Sequence, residues 1–275
     1  MSHREVKPHA SLQQDVRCFW MLEDTQVNYN NKDIVPDPFV ELVVNCGAPF
    51  VWESEDGTSV EMPRVYVNSL QTRPLRMKAT GPVQCIFMRL YPWAAHPIID
   101  AQTPVENSSI FVLDNKEWRD VATAIERTLR LHGYNEALQL LQEFAIGIYC
   151  REQMDIAPLR RAGRLLFATH GQVRMSELAA SCYLSPSQFE RRFKQLTHVS
   201  PKTYARIIRF RGICERLILN PAHQITALAQ DFGYTDQAHL THDFKAFAEQ
   251  TPSEYAAHVR ATPDFWRDAE FLQYT

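Results

Sequence analysis

Residues 225–255 read ITALAQDFGYTDQAHLTHDFKAFAEQTPSEY, and this stretch decides the fold of the C-terminal part of the chain. Its apolar residues recur at helical spacing and are interrupted by turn residues. The same pattern occurs 51 residues earlier, where Phe193-Lys194, Ser200-Pro201 and Tyr204 match Phe244-Lys245, Thr251-Pro252 and Tyr255. A constant offset of this kind indicates two copies of one helical unit.

Each copy is predicted to form a helix-turn-helix unit, in which two short helices meet at a tight turn. In the first copy, Ser176 to about Ser181 forms a helix and the chain then turns. Ser185 can cap the second helix, Pro186 suits its first position, and Gln188 can complete a capping box. The predicted cap in the second copy is Asp236.

The second helix of each copy has an apolar side and a polar side when it is drawn at the helical period. The core-facing residues are Phe189, Phe193 and Leu196, and in the second copy Leu240, Phe244 and Phe247. The exposed residues are Ser187, Gln188, Arg191, Lys194 and Gln195, and in the second copy Gln237, Ala238, His242 and Lys245. Arg and Gln can hydrogen-bond guanine and adenine, small residues permit close approach, and the lysines suit phosphates. One such helix could equally be a solvated face, but the duplication favours binding of DNA.

The stretch between the copies, residues 202–219, reads KTYARIIRFRGICERLIL and predicts one long helix that ends at Asn220-Pro221. A helix of this length spans roughly 27 Å, so it can hold two recognition helices about one DNA turn apart. Arg206 and Arg209 are candidate phosphate ligands on it, and ion pairs within the fold are the alternative role for them.

The net charge of -3 conceals an asymmetry between the two parts of the chain. Residues 159–260 carry 14 Lys and Arg against 8 Asp and Glu, whereas residues 1–158 carry 14 against 21. The difference is +6 for the first range and -7 for the second. A basic part beside an acidic part favours a polyanion-binding module joined to a domain of another kind.

The N-terminal part alternates short apolar runs with turn residues and prolines from Asp15 to about Pro97. This pattern predicts an antiparallel β-sandwich or small barrel of seven to eight strands. Two helices should follow within about residues 117–150, because residues 120–131 and 135–149 are periodic and Gly133 separates them. These helices could pack on their own domain or form a dimer face.

The predicted fold is therefore a two-domain α+β protein. Residues 1–158 form a sensor or dimerisation domain, residues 159–260 form an all-α DNA-binding domain, and residues 261–275 form a tail. A chain of 275 residues is long enough for two cores.

The C-terminal motifs resemble the AraC/XylS family of transcription regulators. The resemblance lies in Leu178-Ala179, Leu184-Ser185, Phe189 to Lys194, Ser200-Pro201 and residues 225–255. It implies seven helices with two helix-turn-helix units, double-stranded DNA as a partner and contact with RNA polymerase. The base-edge contacts that it implies come from Ser187, Glu190, Arg191, Gln237, Ala238 and His242. The chain departs from the family at the end of each recognition helix. Family members commonly have a Gly three residues before the Pro that follows the helix, whereas this chain has His198 and Glu249 at these positions.

The N-terminal part resembles the cupin-like sensor domains that precede such DNA-binding domains, in FWMLE, VPDPFVELVVNCG and QTRP. Many of these domains bind a small effector inside the barrel. The candidate effector-binding residues are Trp20, Glu41, Asn45, Trp52, Arg73 and Arg89. Each also has a structural alternative, which is the core for Trp20 and the sheet surface or a turn for the others.

No catalytic residue, metal site or cofactor is predicted. The histidines before residue 158 form no HxH pair, and the six cysteines lack the spacing of a zinc site. No apolar run reaches the roughly 18 residues that a membrane span needs, so the sequence predicts a cytoplasmic protein without a membrane partner.

The sequence predicts a sequence-specific transcription regulator that responds to a small effector. The alternative is a constitutive or architectural DNA-binding protein whose N-terminal domain only forms a homodimer. A third possibility, an enzyme fused to a DNA-binding domain, is disfavoured because the ligand cluster of a catalytic cupin is missing. Activation and repression, like oligomeric state, stay open.

Overall fold

The computed structural model describes residues 2–25, 32–54, 56–100, 102–106, 108–152 and 154–261. These residues form two compact units. Unit 1 consists of the residues up to Ile34, Phe39–Gln71 and Leu75–Ile156, and unit 2 consists of Val35–Pro38, Thr72–Pro74 and the described residues from Ala157 onward. Two short segments from the first half of the sequence therefore belong to the helical unit. The predicted tail lies, beyond Ala261, outside the described residues.

Unit 1 is built on two antiparallel sheets, as predicted. Its strands, ten within the described ranges, are β1 (Ser2–Val6), β2 (Val16–Asp24), β3 (Lys32–Ile34), β4 (Val40–Asn45), β5 (Phe50–Glu53), β6 (Ser59–Glu61), β7 (Val65–Asn68), β8 (Leu75–Ala79), β9 (Val83–Leu90) and β10 (Ile110–Val112). The larger sheet has the order β1-β2-β9-β4-β7-β10, and the smaller has the order β3-β8-β5-β6.

Residues 15–97 contain eight described strands, β2 to β9, which agrees with the expected seven to eight. Both β1 and β10 lie outside residues 15–97, and β10, β3 and β6 have only three residues each. Three residues are too few to show a clear alternation of apolar and polar side chains. These strands exist because a partner from a distant part of the sequence pairs with them, as β7 does with β10.

Unit 1 also contains the predicted helix pair after α1 (His96–Ile99), namely α2 (Lys116–His132) and α3 (Tyr134–Arg151). The helix α3 lies against β2 and β9, and α2 lies against β7. The apolar stripe of α3 is buried at Ala137, Leu138, Leu141 and Ala145. The pair therefore packs on its own unit, while a dimer face on it stays a prediction.

Unit 2 contains, within the described residues, the seven helices that the family resemblance implies. They are α4 (Ala157–Ala168), α5 (Met175–Ser181), α6 (Pro186–Thr197), α7 (Pro201–Leu219), α8 (Ile225–Asp231), α9 (Gln237–Ala248) and α10 (Pro252–Ala261). The central helix α7 contacts α4, α6, α9 and α10. Since α7 carries buried residues on most of its turns, both halves of unit 2 are built on one helix.

The core around α7 is aromatic. The Phe210 ring lies 4.8 Å from that of Phe244 and 5.3 Å from that of Phe247, measured between centroids. Near the N-terminus of α7, Tyr204 contacts Phe193 of α6, with ring centroids 5.6 Å apart. Burial of each such ring contributes about 1.5–3 kcal/mol. The recognition helices are thereby attached to α7 through their apolar sides.

Candidate nucleic-acid interface

The first recognition helix, α6, begins with the predicted capping box. The backbone N–H of Gln188 donates to Ser185 Oγ at 3.3 Å, and the Ser185 N–H donates to Gln188 Oε1 at 3.1 Å. Pro186 occupies the first helical position. Because these bonds satisfy backbone groups that a helix start leaves unpaired, α6 has a defined N-terminus on the surface.

The two faces of α6 are those expected from its period. Phe189, Phe193 and Leu196 are buried. Exposed side chains are those of Ser187, Gln188, Glu190, Arg191, Lys194 and Gln195. The first turn and the outer side of α6 are therefore open to a partner along their length.

The second recognition helix, α9, repeats this arrangement. Asp236 Oδ1 accepts the backbone N–H of His239 at 2.7 Å, which confirms the predicted cap. Leu240, Phe244 and Phe247 are buried. Exposed side chains are those of Gln237, Ala238, His239, His242 and Lys245.

Both recognition helices end in the left-handed conformation without glycine. His198 has φ of 61° and Glu249 has φ of 57°. Their N–H groups donate to Lys194 O and Lys245 O, each at 2.9 Å. The chain therefore keeps the usual backbone at these helix ends although it lacks the usual residue.

The two arginines of α7 that were candidate phosphate ligands are half-buried and contact other residues of unit 2. Arg206 Nε donates to Asp243 Oδ1 at 2.7 Å, and its guanidinium carbon lies 4.9 Å from the centroid of the Phe247 ring. Arg209 lies over the Tyr234 ring at 5.0 Å. Arg206 thus takes the alternative role, an ion pair within the fold. Lys194 and Lys245 are the exposed phosphate candidates.

The residue that the sequence interpretation missed is Asp243. It is buried on the core-facing side of α9, where it also accepts a hydrogen bond from the Tyr234 hydroxyl at 2.8 Å. The pKa of Tyr234 is raised, chiefly by burial and then by the adjacent carboxylate. A signal was present in the sequence, because Asp243 follows Leu240 by three residues and precedes Phe244, and it therefore falls within the apolar stripe.

Three of the six candidate effector-binding residues come together in unit 1. Trp20, Glu41 and Arg89 lie on the adjacent strands β2, β4 and β9. Glu41 accepts from Trp20 Nε1 at 3.1 Å with one oxygen and from Arg89 Nε at 2.5 Å with the other. The Trp20 ring is stacked on Phe87, with centroids 3.8 Å apart. The cluster joins a buried ion pair to a flat aromatic surface.

His3 lies beside this cluster, 5.4 Å from Trp20 between ring centroids. Its pKa is lowered to about 4 by burial and by the charge of Arg89. His3 is therefore neutral near pH 7, and Arg89 supplies the positive charge that balances Glu41.

Of the other three candidates, one has a structural role and two belong to other elements of the fold. Asn45 Nδ2 donates to Ala48 O at 2.8 Å, and Asn45 Oδ1 accepts from Gly47 N at 3.0 Å, so this residue holds the turn after β4. Trp52 is on β5 of the smaller sheet. Arg73 is exposed and belongs to a segment of unit 2.

The described residues include no group of three or more His, Cys, Asp or Glu side chains placed to hold a metal ion. Among the helices within those ranges, none has the length and apolar character to cross a membrane.

Comparison with known proteins gives two family matches. Residues 178–258 match the family model described as a helix-turn-helix domain. Residues 4–107 match one described as a domain of unknown function (DUF6597). A search of curated proteins found no match.

Several solved structures are similar to this chain. ToxT from Vibrio cholerae is 10% identical, with 94% of this chain and 98% of that one covered and a TM-score of 0.49. ToxT bound to (E)-4-(8-methylnaphthalen-1-yl)but-3-enoic acid is 11% identical, with coverages of 87% and 97% and a TM-score of 0.47. The DNA-binding domain of AdpA in complex with a target DNA is 25% identical, with coverages of 39% and 96% and a TM-score of 0.35. Because all three TM-scores are below 0.5, the class of the C-terminal domain is assigned from the family match and from the helices described above.

The family match and the two capped recognition helices define a DNA-binding domain of the helix-turn-helix class. Residues 178–258 are thus similar to the helix-turn-helix domains of AraC-type transcription regulators.

Proposed function

We propose that the protein is a DNA-binding transcription regulator. It binds two major-groove sub-sites about one DNA turn apart, and a small effector bound in unit 1 controls this binding. The observation that carries the proposal is the pair of recognition helices with open outer faces, attached to one 19-residue helix, α7. A helix of that length spans roughly 28 Å at 1.5 Å per residue, a length suited to two readers on one face of the duplex.

The proposed base-edge contacts follow from the exposed side chains of α6 and α9. In the first sub-site these are Ser187, Gln188, Glu190 and Arg191, and in the second they are Gln237, Ala238 and His242. Arg191 offers a bidentate contact to guanine, and Gln237 offers one to adenine. Lys194 and Lys245 lie farther along the helices and are assigned to phosphates.

The effector site is assigned to the cluster of Trp20, Glu41 and Arg89. A buried ion pair beside a stacked indole can hydrogen-bond a polar group of a ligand while the ring covers its apolar part. This arrangement supports an effector that is planar or cyclic and carries at least one polar group. Contact with RNA polymerase and formation of a homodimer belong to the same proposal. The alternative is a constitutive DNA-binding protein whose unit 1 only forms a dimer.

Selection of bound duplexes from a random library by the full-length protein tests the DNA proposal. We expect a motif with two sub-sites whose centres are about 10–10.5 base pairs apart. A motif of only one sub-site, or no enriched motif, would contradict the two-reader proposal.

Thermal unfolding in a panel of small cyclic compounds tests the effector proposal, because a ligand of the native state raises the unfolding temperature. The matched variant combines Glu41→Leu with Arg89→Met, which removes both charges together and so leaves no unpaired ion. A compound that stabilises the wild type but not this variant supports the assigned site. Equal stabilisation of both proteins would place the ligand elsewhere, and stabilisation by no compound would favour the constitutive alternative.

A further inference from the structure

The two helix-turn-helix units differ in how their recognition helices are fastened to α7. In the second unit, Asp243 contacts Arg206 of α7 with one oxygen and Tyr234 with the other. Tyr234 belongs to the turn before α9, and its N–H donates to Ala229 O at 2.8 Å. One carboxylate therefore joins the central helix, the turn and the recognition helix.

The first unit has other residues at the corresponding positions. Leu184 has the place of Tyr234, since its N–H donates to Ala179 O at 3.1 Å in the same way. Arg192 has the place of Asp243, 51 residues earlier. A carboxylate and a tyrosine hydroxyl therefore stand at these two positions in the second unit, whereas the first unit has an arginine and a leucine there.

Because the junction is buried, it restricts the orientation of α9. Asp243 is 5% exposed and Tyr234 is 6% exposed. A buried carboxylate is stable only with its partners. Hydrogen bonds to both of its oxygens restrict rotation of the helix that bears it. His242, a proposed base contact, is adjacent to Asp243 in the sequence, so a rotation of α9 about its axis moves His242 across the groove.

We infer that Asp243 is a positioning residue that sets the orientation of the second recognition helix through Arg206 and Tyr234, and thereby determines base discrimination at the second sub-site. The inference depends on the proposed reading of two sub-sites. It predicts that α6 and α9 respond differently to loss of the junction, because Leu184 and Arg192 replace Tyr234 and Asp243 in the first unit, where Phe193 of α6 contacts Tyr204 of α7.

The experiment uses the full-length protein and four duplexes derived from the selected motif: intact, first sub-site scrambled, second sub-site scrambled, and both scrambled. The ratio of affinities for intact and scrambled DNA gives the discrimination at each sub-site. The variants are Asp243→Asn and Tyr234→Phe. We expect discrimination at the second sub-site to fall about tenfold while that at the first stays within about twofold, since a good base contact contributes about this ratio.

Two controls separate positioning from folding. Asp231→Asn changes an exposed carboxylate of α8 and should leave both ratios unchanged. The double variant Arg206→Met/Asp243→Leu removes both charges of the ion pair, which often restores the stability that a single removal costs. We expect its thermal stability to recover while discrimination at the second sub-site stays lost.

Three results would overturn the inference: equal loss at both sub-sites, no loss at either, or recovery of discrimination together with stability in the double variant. Should the double variant not fold, Tyr234→Phe decides, because it removes a single hydroxyl group. Failure of the wild type to select a motif with two sub-sites would contradict the proposed function itself. The two failures are therefore distinguishable.

Discussion

The guanidinium of Arg211 and the carboxylate of Asp37 form an ion pair inside unit 2, with Nε 3.7 Å from Oδ2, although the residues come from opposite halves of the sequence. Glu215, one turn further along α7, faces the same guanidinium at 3.6 Å. Nearby, the Tyr204 hydroxyl donates to Pro38 O at 2.9 Å. The segment Val35–Pro38 is therefore part of the structure that surrounds α7.

Removal of the Asp37 carboxylate should destabilise unit 2. Arg211 is only 3% exposed, so its charge needs the partner that Asp37→Ala takes away. We expect a loss of about 1–3 kcal/mol in the free energy of opening. Hydrogen exchange of the α7 amides measures it. The exposed Asp231→Ala should change the same amides by less than about 0.5 kcal/mol, and unchanged protection in Asp37→Ala would contradict the structural role of the segment.

Stability of unit 2 should fall as pH rises through neutrality. Burial is the largest cause that raises the pKa of Glu215 to about 8; Arg211 opposes the shift and Asp37 adds to it. The folded state thus holds a proton that the unfolded state, with a pKa near 4.5, releases. The stabilisation is complete below about pH 4.5 and is lost as pH approaches about 8. Chemical denaturation across this range should show a steeper decline for the wild type than for Glu215→Gln, and parallel curves would refute the assignment.

Two exposed cations of α6 should affect DNA binding in different ways. Arg191→Ala should cost roughly 1–3 kcal/mol and relax the preference at one base pair, because Arg191 is assigned to a base edge. Lys194→Ala should weaken binding to all sequences and reduce the salt slope by about 1, because Lys194 is assigned to a phosphate. Titrations with intact and point-mutated duplexes at several salt concentrations distinguish these effects. Equal, sequence-independent losses in both variants would refute the assigned roles.

The turns of the two helix-turn-helix units should differ in their tolerance of a side chain. Gly233 has φ of 69°, and a Cβ atom there would lie 2.6 Å from Gln172 Oε1. Gly233→Ala should therefore destabilise unit 2 by about 1–3 kcal/mol. Tyr183 stands at the corresponding place with φ of 57° and is 88% exposed. Tyr183→Ala is the matched control, and thermal unfolding should show a change of less than about 1 kcal/mol. A larger loss at Tyr183 than at Gly233 would contradict this account.

The local features of the DNA-binding helices could be predicted from the sequence because they depend on neighbouring residues. The caps at Ser185 and Asp236 and the buried Phe193 and Phe244 follow from helical spacing and from side chains within one turn. The repeat added a second, independent copy of each feature. These predictions agree with the structure because no distant partner is required for them.

The polar contacts inside each unit could not be predicted in the same way. Arg206 was open to two roles, and only the approach of α9 to α7 brings Asp243 within hydrogen-bonding distance of it. The candidate effector-binding residues also took different roles that the sequence did not distinguish. Strand pairing brings Glu41 beside Arg89, whereas Asn45 forms a hydrogen bond within its own turn. Such pairs depend on which strands and helices become neighbours.

The sequence by itself determined the two helix-turn-helix units and the outer faces of their recognition helices, since residues within a few positions specify helix starts and faces. Tertiary structure alone decided which buried charges meet. It placed Asp243 between Arg206 and Tyr234, and it brought Asp37 to Arg211 within unit 2. The physical reason is that a buried charge is stable only with its partner, and packing, rather than sequence separation, selects that partner.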